Sequence, residues 1–119
     1  MILRLFPAFA LLAVPAVAQP VVSEQAPLSL QQASALRCSA AFALGSAIQG
    51  RGEKTDWPVL GTRGREFFVR ASAQVMDETG RSRESVAASI SEYARLLSDR
   101  SALDAAMPPC LLLLDASGL

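Results

Sequence analysis

Residues 62–97 read TRGREFFVRASAQVMDETGRSRESVAASISEYARLL. In the second half of this stretch Val86, Ile90, Tyr93 and Leu97 recur at i, i+4, i+7 and i+11, the period of one helical face. Ser82 stands where an N-cap belongs, and Glu84 falls in the first turn, where the helix macrodipole favours a negative charge. In the first half Phe67, Phe68, Ala71 and Val75 mark the buried face of a helix over 62–79, with Gly80 in the C′ position. Only Thr79-Gly80-Arg81-Ser82 separates the two, which predicts antiparallel neighbours. No segment of the chain alternates with the two-residue period of a strand.

Upstream lies a third helix. Ser29 and Gln32 have the spacing of a capping box, and Gly50-Arg51-Gly52 ends the run. Leu30, Ala41, Leu44 and Ile48 share one stripe, with Cys38 and Phe42 at its edge and Leu36 and many alanines opposite. A helix that is small and apolar nearly all round packs on more than one side. Downstream, a short helical segment is expected over 101–107, stopped by Pro108-Pro109. Pro109 then starts a last short helix to Asp115. The expected fold is an all-α bundle of four to five helices over 29–119, preceded by a polar lead-in over 19–28.

The first eighteen residues read as an export signal. Arg4 supplies the positive region, Leu5 to Val14 the apolar run, and Ala16-Val17-Ala18 a small-x-small site, with cleavage expected before Gln19. The apolar run is short for a spanning helix, which needs roughly 20 residues, and Pro7 and Pro15 interrupt it. A lipoprotein reading fails because Cys38 lies far past that run. The expected location is the periplasm.

Cleavage leaves ten cations (the 11 of the chain less Arg4) against 11 carboxylates, so the exported part is near-neutral. That removes the basic face expected of a nucleic-acid binder. An exported domain of about 100 residues buries only about 60–65 % of its unfolded surface and gains from a staple. Cys38 and Cys110 are the only cysteines, and one intramolecular pairing is possible. Closing that loop would contribute about 4 kcal/mol in the chain-entropy model. An intermolecular bridge and reactive thiols are the alternatives.

The absence of histidine excludes a Ser-His-Asp triad, a Cys-His pair and a His-ligated metal. The carboxylates stand singly apart from Asp77-Glu78, whose side chains diverge on a helix. No nucleotide-binding glycine loop is present. No cofactor, no metal and no enzymatic activity are expected. Two places remain open to binding. Arg63, Gly64 and Arg65 open the second helix of the chain, where free amides and guanidinium groups could hold a phosphate, a lipid headgroup or a partner carboxylate. The bland alternative is that Glu66 and nearby acids neutralise the arginines on a solvated face. Trp57, the single tryptophan, sits in the longest connection, either as a lid over the core or as an anchor for a partner.

The segments 36–42 (LRCSAAF), 64–70 (GREFFVR) and 107–110 (MPPC) resemble a set of small exported helical proteins of alphaproteobacteria, sphingomonad-like ones in particular. That resemblance spans most of the exported part and implies a lineage and a compartment, with no activity attached. A looser similarity, of architecture, is to the HdeA-type periplasmic acid-stress chaperones, which are small, exported, all-helical and stapled by one disulfide. Two cysteines are shared, with a wider separation here. The expected role is a non-catalytic module that binds another envelope protein. The alternatives are an acid-stress holdase, in which eleven carboxylates lose charge while the cations persist, and a protein that binds anionic headgroups.

Overall fold

The computed structural model describes residues 13–15 and 26–119. The expected cleavage point, and all of the leader but residues 13–15, lie outside the described residues. The chain forms α1 (Leu30–Gly50), α2 (Gly61–Thr79), α3 (Arg83–Leu97) and α4 (Arg100–Ala116), with no strand among the described residues.

The capping box forms as its spacing predicts. Gln32 N donates to Ser29 Oγ at 3.1 Å, and Ser29 N donates to Gln32 Oε1 at 2.9 Å. Ser82 caps α3 through Ser85 N at 3.1 Å, and Gly80 closes α2 in the left-handed region at φ 69°. There a side chain would be strained.

α1 is the hub. It packs against all three other helices, and α2 and α3 each meet it more extensively than they meet each other. Its buried residues (Leu36, Cys38–Phe42, Gly45 and Ile48) run round most of its circumference. Small residues let the neighbours approach closely. A Cβ on Gly45 would lie 2.8 Å from Leu60 Cδ1 and 3.1 Å from Met107 Cε, and one on Gly64 would lie 3.0 Å from Phe42 Cβ. Leu30, expected on the buried stripe, is instead 84 % exposed. It is the first residue of α1, more than a turn from Leu36, where burial begins.

The C-terminal segment departs from expectation. Pro108 and Pro109 do not divide two short helices; they lie inside the single helix α4. The buried residues Leu103, Ala106, Met107, Cys110 and Leu114 keep one helical stripe unbroken across the prolines. Both prolines face solvent, as do Asp104 and Ala105, whose carbonyls lose their usual N–H partners and can be hydrated instead. Burial on one side outweighs the hydrogen bonds lost on the other. Cys38 and Cys110 are joined, with Cα atoms 5.2 Å apart, and tie the middle of α1 to α4.

The connection 51–60 is organised by one side chain. Gln49 Nε2 donates to Thr55 Oγ1 at 3.0 Å and to Pro58 O at 2.9 Å, while Gln49 Oε1 accepts from the N–H of fully buried Leu60 at 3.0 Å. Gln49→Ala leaves that N–H buried and unpaired, which costs about 1–3 kcal/mol. We expect a lower urea midpoint together with red-shifted emission from Trp57. An unchanged spectrum would show that the loop holds itself.

Candidate functional site

Along α2, Phe67, Ala71 and Val75 recur on one face, and Arg70, Gln74 and Glu78 run beside them at the same period. The start of α1 and the end of α4 flank this strip and leave a groove of about 310 Å³. Ala35 and Leu113 complete an apolar floor with the three α2 residues. Gln32, Arg70, Gln74 and Glu78 form a polar rim. The size is at the lower end for small-ligand sites and suits one or two side chains of a partner.

Glu78 is the one carboxylate on the groove lining and Arg70 the one cation, and they stand two helical turns apart on α2. Gln32 Nε2 donates to one carboxylate oxygen at 3.0 Å and Gln74 Nε2 to the other at 2.7 Å. Both donors are neutral, so they orient the carboxylate without cancelling its charge. The bond from Gln32, and then that from Gln74, hold the carboxyl below its ordinary value. The geometry of Gln32 follows from the cap of α1. Its amide oxygen is taken by Ser29 N–H, which leaves the NH₂ end facing α2. The motif that starts a helix therefore also sets one wall of the groove.

The three residues considered for an anion pocket are not brought to one place. The Arg63 guanidinium turns to the C-terminal end of α4, where Nε donates to Leu119 O at 2.8 Å and Nη2 to Asp115 Oδ1 at 3.0 Å. Gly64 is buried against Phe42. With the exposed Arg65 it lines a second cavity of about 180 Å³, together with Phe42, Ser46, Gly61 and Phe68. Arg63 is paired with Asp115 rather than with Glu66.

Trp57 is half-buried and packs on the core beside Gly45. The Arg100 guanidinium lies 5.0 Å from its ring centroid. Arg100 also binds Glu53 at 2.8 Å and Asp104 at 3.2 Å, so it clasps the 51–60 connection to the start of α4.

The groove can bind. Its floor accepts apolar side chains, and its carboxylate accepts N–H donors or a cation. The one hydroxyl on its lining, Ser117 Oγ, is engaged with Leu114 O at 2.5 Å. Among the described residues no three His, Cys, Asp or Glu side chains converge, and no helix is long and apolar enough to cross a membrane. Sequence reasoning missed Glu78, Gln32 and Gln49 as organising groups. The i,i+4 spacing of Gln74 and Glu78 was a signal for one of those contacts. The contact between Gln32 and Glu78, 46 residues apart, had no sequence signal. Comparison with protein-family models, with curated proteins and with solved structures finds no match.

Proposed function

We propose that this is an exported, non-catalytic interaction module of the cell envelope, which seats an apolar segment bearing a lysine or arginine from another envelope protein. The observation that carries this reading is the Glu78 carboxylate at the rim of an apolar groove. It is oriented by two neutral amides and, among the described residues, no cation lies within ion-pair distance of it, Arg70 standing at the other end of the rim. A cation alone would bind weakly at so exposed a site, and the apolar floor alone would not discriminate. Together they select a segment carrying both. The N-terminal sequence supports export, and the buried disulfide suits an oxidising compartment.

The test is a panel of short apolar peptides that differ at one position, carrying Lys, Gln or Glu. The Lys peptides are expected to bind at least tenfold more tightly than the Glu peptides, and Glu78→Gln removes the preference. Because the folded carboxyl titrates below its ordinary value, the preference persists through that value. It is lost as pH falls through the lower, folded one. Peptides bound equally well whatever their charge, measured by fluorescence anisotropy, would end this reading.

A second reading, the acid-triggered holdase, has one observation in its favour. Three polar ties between elements end on carboxylates: Gln32–Glu78, Arg63–Asp115 and Arg100–Glu53. The two readings separate by pH. The holdase suppresses client aggregation only in acid, where the charge preference of the groove is gone.

A further inference from the structure

Along the rim of the groove the charges are separated rather than paired. Arg70, Gln74 and Glu78 recur at i, i+4 and i+8 on α2, and eight residues of helix set the first and last about 12 Å apart along the axis. Arg70 is exposed. Among the described residues it takes part in no ion pair, although Glu66 stands one turn before it. Gln74 lies between the two charges. Its NH₂ is given to Glu78, and among the described residues its carbonyl oxygen accepts no hydrogen bond. A cation, an open acceptor and a carboxylate therefore follow one another along one edge of an apolar floor.

We propose, on the basis that the groove is the binding site, that the partner segment is dipolar. It lies extended along α2 with its lysine or arginine at Glu78 and an aspartate or glutamate at Arg70, three or four residues away. The spacing follows from two rises. An extended chain advances about 3.3 Å per residue, so three to four residues cover the distance that α2 covers in eight. Between the two charges the segment turns alternate side chains to the floor, so one or two apolar ones meet it, which is what a groove of about 310 Å³ admits. A backbone N–H of the segment meets the open carbonyl of Gln74 midway. The order of the two charges in the segment sets the direction of its chain relative to α2.

Two other occupants complement the rim less well. One is the chain's own lead-in. Arg81 Nη2 donates to Ala26 O at 2.6 Å, beside the turn that follows Glu78. A lead-in folded back into the groove from there would bring Glu24, two residues upstream, to Glu78, like charge against like. No lysine or arginine lies between Gln19 and Ala26 to relieve it. The other is a simple anion such as phosphate, which would find Arg70 alone and a carboxylate on the same rim.

Fluorescence anisotropy with the disulfide-bonded protein tests this. The probes are apolar peptides with blocked ends that carry one lysine and one glutamate, separated by one, three, four or eight positions, and matched peptides with glutamine for the glutamate. At low salt the glutamate is expected to tighten binding about three- to fivefold at separations of three and four, and not at one or eight; the gain is modest because Arg70 is exposed and no side chain orients it. Arg70→Gln abolishes the gain, and Arg70→Glu turns it into a gain for lysine at the same position. Salt at about 1 M, where the screening length is about 3 Å, erases it in the unaltered protein. Arg70 is exposed, so both substitutions should leave the circular dichroism and melting temperature as they are. A lysine preference with no gain from glutamate at any separation, or a gain that survives Arg70→Gln, would overturn the dipolar segment while the groove remains a seat for a cation. A gain at eight positions only would mean a helical ligand and overturn the extended one. Peptides bound alike whatever their charge would remove both this inference and the function it rests on.

Discussion

Replacing Cys38 and Cys110 together by alanine, or reducing the bond, is expected to remove about 4 kcal/mol of stability. The bond spans 72 residues of sequence and encloses most of α1, all of α2 and α3, and about the first three turns of α4. Opening it therefore releases a large loop in the unfolded chain. For a domain of about 100 residues the whole margin is about 5–15 kcal/mol, so the loss is a large share. There is a local reason as well. Cys110 directly follows the two prolines at which the hydrogen-bond ladder of α4 is interrupted. Once the bridge opens, the segment from Pro108 to Ala116 is held by side-chain packing and by the exposed Arg63–Asp115 pair, which is worth at most about 1 kcal/mol. We expect hydrogen exchange to accelerate there first and the groove to lose its Leu113 wall. Urea unfolding with and without reductant measures the size of the effect. A difference below about 1 kcal/mol would show that packing alone holds α4 to α1.

Phe42→Ala is expected to cost about 3–5 kcal/mol. The ring is fully buried and meets Phe67 edge to face, with centroids 5.1 Å apart and planes at 87°. Its Cβ lies where Gly64 allows α2 to close on α1. Truncation removes that packing and leaves a void that the rigid glycine contact cannot collapse to fill. The void would also join the 180 Å³ cavity that Phe42 already lines. Because Phe67 forms part of the groove floor as well, the substitution should weaken peptide binding while destabilising the fold. Phe42→Leu, which keeps most of the volume, should cost less than half as much. Urea midpoints for the pair check the ratio. Equal, small losses would mean that the α1–α2 contact is not the centre of the core.

Much of the fold is legible in the residues because its signals are local. Ser29 with Gln32, Ser82, and Gly80 each act within a turn of their own position, so the ends of α1, α2 and α3 can be read without knowing their neighbours. The stripe through Val86, Ile90 and Leu97 is likewise a property of one helix. The reading of Pro108-Pro109 as a stop was wrong for an instructive reason. Proline's cost is local and visible in the sequence, but what offsets it is the continuous contact of Leu103, Met107, Cys110 and Leu114 with the rest of the molecule. The trio Arg63, Gly64 and Arg65 shows the same limit. Adjacency in sequence suggested one pocket, yet on a helix successive side chains point about 100° apart. Arg63 turns towards α4, and Gly64 lies against α1.

The amino-acid sequence by itself determined that the chain would be helical, where three of its helices begin or end, that one helix would be covered on several sides, and that two cysteines could join the first helix to the last. These follow from periodicity, capping and counting, which need no partner across space. Tertiary structure alone decided that Gln32 reaches Glu78, that Gln49 holds the connection carrying Trp57, and that the prolines stay inside α4. Each of those depends on which side chains meet after the helices pack, and contacts between residues tens of positions apart leave no mark on local spacing.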